Sequence, residues 1–96
     1  MIPQAFRNEN PPRSLIGARI AVTGARGFLG ARLVVRLLAL GLDPVILSGD
    51  VRSAETFNAP FDVLFHLAGA VPADFARAPE PARQTNVDGT AHAVDA

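Results

Sequence analysis

Apolar residues fall along the chain in alternating short runs and longer periodic stretches. Arg19-Ile20-Ala21-Val22-Thr23 is a short apolar run that ends at a glycine, which predicts a strand. From Leu29 to Leu40 the spacing becomes helical. Leu33, Val34, Leu37 and Leu38 recur at i, i+1, i+4 and i+5, with Arg32 and Arg36 as a polar stripe. Gly41 marks the stop. Pro44 to Ser48 predicts a second strand and Phe61 to Ala68 a third. The third is almost continuously apolar, as suits a parallel strand covered on both faces. Pro81 to Ala96 predicts a closing helix with Pro81 in its first turn. Residues 1 to 17 read as a polar, proline-bearing lead.

This order predicts an α/β fold: a doubly wound parallel sheet, Rossmann-like and incomplete, formed by residues 18–96. The stretch between the second strand and FDVLFHLAG is short. "ILSGDVRS" is therefore read as serving for both a second and a third strand.

Between the first strand and the first helix lies TGARGFLG, with Gly24, Gly27 and Gly30 three residues apart. A strand that ends in glycines and opens into a helix presents unsatisfied N–H groups and a positive dipole end. A pyrophosphate fits there. The first glycine allows the tight turn, the second a close approach of backbone to phosphate, and the third close packing of helix on strand.

Composition narrows the chemistry. Formal net charge is zero, which disfavours a nucleic-acid partner. There is no cysteine, hence no thiolate metal site, and no metal is expected. No apolar run reaches the ~18 residues of a membrane span, and the first residues lack a signal-peptide core. A soluble cytoplasmic protein is expected. All nine basic residues are arginine, and tyrosine is absent. Chemistry that needs a phenol or an amine must come from elsewhere.

TGARGFLG resembles the TGxxGFLG turn of the extended short-chain dehydrogenase/reductases, the epimerase/dehydratase group. "FDVLFHLAGA" is similar to that family's fourth strand, "NVDGTAHAVDA" to its NVxGT helix, and "GDVRS" to a short segment after its third strand. The resemblance spans Ile20 to Ala96. It implies an NAD(P)-binding oxidoreductase or epimerase acting on a nucleotide sugar or similar hydroxy or carbonyl compound. It also implies a homo-oligomer, with the substrate held by a C-terminal part of a longer chain. The family's catalytic Tyr-x-x-x-Lys pair lies beyond the NVxGT helix. With neither residue type present, the chain is expected to be inactive alone. The alternatives are a non-catalytic dinucleotide-binding module and a structural fragment completed by another chain.

The cofactor-binding residues implied are Gly24, Arg26, Gly27, Phe28, Leu29, Ser48, Asp50, Val51, Arg52, Leu67, Ala68 and Gly69. Asn86 is a supporting catalytic candidate, or else makes a plain backbone contact. NAD is selected by an acid at the end of the second strand, about eighteen residues past the last glycine in the family. Here that position is Ser48. Arg26 and Arg52 could meet a 2′-phosphate. The reading leans to NADP, with NAD open because Asp50 could take the acid's role; from the resemblance of GDVRS, Asp50 could instead be the family's aspartate beside the adenine, and the plain alternative is a turn residue after Gly49. His66 reads as a buried, hydrogen-bonded histidine and His92 as exposed. Asp74 and Glu80 show no acid/base partner.

Overall fold

A computed structural model describes residues 11–70 and 72–96. Of the lead, residues 1–10 lie outside the described residues. The elements are β1 (Ile20–Thr23), α1 (Phe28–Ala39), β2 (Val45–Leu47), β3 (Val63–His66), α2 (Pro72–Arg77) and α3 (Pro79–Asp95), with 3₁₀ turns at Arg13–Leu15 and Ala54–Phe57.

The three strands form one parallel sheet in the order β2-β1-β3. The central strand β1 is buried along its whole length. Alternate residues of a strand face opposite ways, and the two faces of β1 are covered by different elements. Ile20 and Val22, with Val63 and Phe65 of β3, pack against Leu33, Val34 and Leu37 of α1. Ala21, with Leu47 and Leu64, packs against Val51, Phe57 and Ala93. The fold is thus mixed α/β with helices on both faces, compatible with part of a Rossmann-like domain.

Local chemistry sets the boundaries. α1 ends in paired reverse bonds, Gly41 N–H to the Leu38 carbonyl and Leu42 N–H to the Leu37 carbonyl, both 3.0 Å. Gly41 has φ +78°, a left-handed turn that glycine adopts without strain. Leu42 folds back onto the α1 cluster, while Leu38 stays exposed and not in the predicted stripe. β3 is shorter than the predicted run and only half-buried, because it is a sheet edge.

Three expectations are corrected. "ILSGDVRS" supplies one strand, not two. Asp50 turns the chain, its Oδ1 accepting the Arg52 N–H at 2.9 Å and its carbonyl accepting the Thr56 hydroxyl at 2.6 Å. A 3₁₀ turn then replaces a strand. The last helix starts at Pro79 rather than Pro81. A short helix, Pro72–Arg77, precedes it where none was expected; PADFAR is too short to show a period.

The entrances to β1 and β3 are clipped together. Asp62 Oδ2 accepts the Arg19 backbone N–H at 2.8 Å, and Oδ1 accepts Arg19 Nη2 at 3.0 Å. The Arg19 side-chain bonds, then its backbone N–H, hold the Asp62 carboxyl down at about 2, against an ordinary 3.8. The folded carboxylate binds its proton less readily than the unfolded one, so this contribution is present above pH 3.8 and lost as pH falls through about 2. Asp62→Asn should therefore lower the melting temperature at neutral pH. The gap from wild type should close toward about pH 2 in a thermal-unfolding series, and a gap constant with pH would show that the carboxylate charge is not what matters.

Candidate functional site

Past Thr23 the chain turns sharply and starts α1. Gly24 has φ +73°. A Cβ there would fall 2.6 Å from both Ala68 N and the Leu67 carbonyl carbon. A Cβ on Gly30 would overlap the Gly24 carbonyl oxygen. These two glycines are demanded by packing. Gly27 is different. It is the exposed N-cap of α1, its backbone is ordinary extended, and a Cβ would approach only the Gly24 oxygen, at 3.3 Å. No side chain caps this helix, and the N–H groups of Phe28, Leu29 and Gly30 make no hydrogen bond among the described residues.

In front of this turn, a cleft of about 200 Å³ crosses the carboxyl ends of the strands. Gly24, Arg26, Ser48 and Ala68 line it, together with Ala25, Ile46, Leu47 and Gly49. Of the predicted residues, four therefore meet in one place. Phe28 and Leu29 stand on the first turn of α1, 72% and 66% exposed. The Arg32 guanidinium lies over the Phe28 ring, 3.7 Å from its centre.

Asp50, Arg52 and Gly69 border a second cleft of about 270 Å³, against α2 and the start of α3. Arg52 is not free for a ligand. Its Nη2 lies 2.6 Å from Asp50 Oδ2, and its Nε donates to the same carboxylate. Hydrogen bonds from Arg52 keep the Asp50 carboxyl below its usual range. Val51 is buried; a Cβ on Gly89 of α3 would lie 2.7 Å from its Cγ2. Its side chain therefore belongs to the core and not to a ligand surface.

The segment after β3 is held from two sides. Thr23, the one fully buried polar side chain among the described residues, accepts the N–H groups of Leu67 at 3.1 Å and Ala68 at 3.2 Å on Oγ1. The same oxygen lies 2.8 Å from His66 Nδ1. A hydroxyl has two lone pairs and one proton. Between Oγ1 and Nδ1 the direction of the bond follows the tautomer of the ring: the hydroxyl donates to a bare Nδ1, and a protonated Nδ1 donates to the hydroxyl. Burial pushes the His66 pKa down, toward the neutral ring. From α3, Asn86 Oδ1 accepts the Ala70 N–H at 2.6 Å and Nδ2 donates to the Ala70 carbonyl at 3.3 Å. This is the backbone-contact reading, across 16 residues rather than locally.

His92 is half-buried rather than exposed, its Nδ1 being 3.1 Å from the Val51 carbonyl. Asp74 and Glu80 pair with Arg77 and Arg83 on their own helices. Sequence reasoning passed over Thr23. A hydroxyl on an inward position of an apolar strand was the available signal.

Comparison with family models, with curated proteins and with solved structures matched none of them to this chain. No helix of the described residues is long and apolar enough to cross a membrane.

The glycines should separate on substitution. Gly24→Ala and Gly30→Ala should cost several kcal/mol or prevent folding, because each sets Cβ against backbone. Gly27→Ala should cost about 1 kcal/mol or less. Denaturant unfolding of the three variants measures this ranking.

Proposed function

We propose that this chain is the dinucleotide-binding front of an NAD(P)-dependent oxidoreductase or epimerase, built as the first part of a doubly wound sheet. The observation that carries the reading is Gly27. The packing constrains this glycine far less than Gly24 or Gly30, a Cβ meeting only the Gly24 oxygen at a tight 3.3 Å, and it leaves an uncapped helix start open beside a cleft at the carboxyl ends of parallel strands. A pyrophosphate would take the orphan N–H groups of Phe28 and Leu29, and the ribose would lie along Ala68. The bound dinucleotide would supply hydride chemistry; this chain's residues bind and orient it.

NADP is the preferred form. Among the described residues, the lining of the glycine cleft includes Arg26 and Ser48 and no acid. A carboxylate there would repel a 2′-phosphate, whereas a guanidinium meets it with paired hydrogen bonds. Asp50 and Arg52 neutralise each other in the neighbouring cleft, so neither argues for NAD or NADP. Nucleotide sugar as substrate, a homo-oligomeric state and a cytoplasmic location are part of the same proposal and rest on the family resemblance.

One observation favours a second reading, a dinucleotide-binding module without catalysis. The chain contains no tyrosine and no lysine. General acid work on a carbonyl needs a positioned proton donor of suitable pKa. Near the glycine cleft, among the described residues, the titratable side chain of that kind is His66, which is bonded to Thr23.

Separate titrations of NADPH and NADH should show NADPH binding more tightly. Arg26→Ala should weaken NADPH on the order of tenfold and leave NADH little changed. Gly27→Asp should retain the fold and abolish binding of both, since its carboxylate would occupy the helix start. Tighter NADH binding would reverse the assigned preference, and binding of neither would overturn the dinucleotide reading. The chain alone should not oxidise NADPH with any carbonyl substrate. Oxidation proportional to protein and absent from Gly27→Val would refute the non-catalytic reading.

A further inference from the structure

In a doubly wound sheet the third strand lies outside the second, and the fourth lies on the far side of the first. The order β2-β1-β3 fills the places of the second, first and fourth. Residues 48–62, between β2 and β3, form the Asp50 turn, the 3₁₀ turn at Ala54–Phe57 and loop instead of a strand. β2 therefore has no strand on its outer side among the described residues. We propose that a second copy of this chain takes that place, β2 pairing antiparallel with β2 of the copy about a two-fold axis through Ile46.

The edge is apolar and unguarded. Val45 and Ile46 are 44% and 43% exposed, although strands of a parallel sheet are ordinarily covered on both faces. Ile46 stands beside Val22 in the register, so it faces the α1 side. Val22 is buried in the α1 cluster, and Ile46 is not part of that cluster. The 3₁₀ turn gives Ile46 no cover either, because its Phe57 packs on the opposite face with Ala21 and Leu47. Proteins guard such edges with lysine, inward-pointing charges, bulges or proline. Val45-Ile46-Leu47 carries no charge and no proline. Pro44 stands just before it and ends the pairing there.

A second copy fits this edge by its own geometry. Residues paired across antiparallel strands share a face, and faces alternate along each strand. A two-fold axis normal to the sheet must then pass through a residue and not between two. In a three-residue strand that residue is the middle one, Ile46. Ile46 covers Ile46 of the copy, and Val45 lies opposite Leu47. Beyond them Pro44 faces Ser48 and Asp43 faces Gly49, so no like charges meet. The net charge of zero leaves no overall repulsion between copies. Joining β2 to the β3 edge of a copy would not close and would run on as a filament. The β2–β2 joint closes at two copies and merges two three-stranded sheets into one.

Three residues a side make a small contact, so the dimer is weak. A homo-oligomer already belongs to the proposed function, on family resemblance. The interface named here rests on that reading's doubly wound order together with the exposed edge.

Sedimentation velocity of the chain between about 1 μM and about 1 mM should show monomer passing to dimer and nothing larger. Ile46→Glu and Ile46→Lys should each weaken dimerisation roughly tenfold or more, since like charges would face each other across the axis. Mixed in equal amounts, the two variants should pair again, which misfolded chains would not do. The chain has no cysteine, so a single one can be introduced as a reporter. Under mild oxidation, Ile46→Cys should give a disulfide-linked dimer roughly tenfold faster than Val94→Cys, an exposed position on α3. If the charged variants do not fold, the cysteine comparison decides.

A monomer at every concentration would overturn both the interface and the homo-oligomeric state. A dimer indifferent to the charged variants, or linked as fast through Val94, would overturn the β2 interface alone. Folded Glu and Lys variants that stay apart when mixed would do the same, and growth beyond the dimer would overturn the closed two-fold arrangement. None of these outcomes involves NADPH or NADH, whose titrations decide the dinucleotide reading separately.

Discussion

The distance between the Gly24 backbone and the Leu67–Ala68 peptide is the constraint on which the carboxyl end of the sheet depends. A single added carbon at Gly24 would sit 2.6 Å from that peptide. The approach is tight because Thr23, one residue earlier, draws the N–H groups of Leu67 and Ala68 onto its hydroxyl. A buried hydroxyl left unpaired would be costly. Here the polar atom is fully used, and its use pulls two neighbouring strands together where the cleft opens. Gly30 then lets α1 start directly against the turn.

A second fixture works from the opposite face. Val51 fills the gap above Gly89, and Val51's carbonyl meets His92. Asn86, one turn before Gly89, grips Ala70 by both its backbone N–H and its carbonyl. The irregular segment between β2 and β3 is thereby tied to α3 even though it forms no strand. Asp50 and Arg52 sit on that segment as a closed ion pair. Their exposure means the pair adds little to stability; it does fix where the two charges point.

Much of this was legible in the sequence because it is local. The β1–glycine–α1 succession reads directly from a period change at Gly24 and a periodic run ending at Gly41. The clustering of Gly24, Arg26, Ser48 and Ala68 followed from strands ending side by side. The rest was not legible for physical reasons. PADFAR is too brief to display a helical period. Whether Asp50 pairs with Arg52 or faces a ligand depends on side-chain torsions that spacing does not encode. The role of Thr23 appears only once Leu67 is brought beside it, 44 residues along the chain. His92 looked exposed because α3 is weakly amphipathic, its buried positions being Ala82 and Gly89 rather than large apolar residues.

The central strand has one further consequence, for the order in which the molecule assembles. Arg19 and Asp62, and Thr23 and His66, are each 43 residues apart. The pairing of β1 with β3 thus closes a long loop, whose entropy must be met before any of its bonds is gained. Local segments such as α1 and its Gly41 turn have no such barrier. During synthesis, β1 would leave the ribosome with an exposed flank and keep it until His66 had followed. The inward-facing Thr23 makes that waiting strand less uniformly sticky than an all-valine one, so the residue that completes the folded sheet also tempers the half-made one.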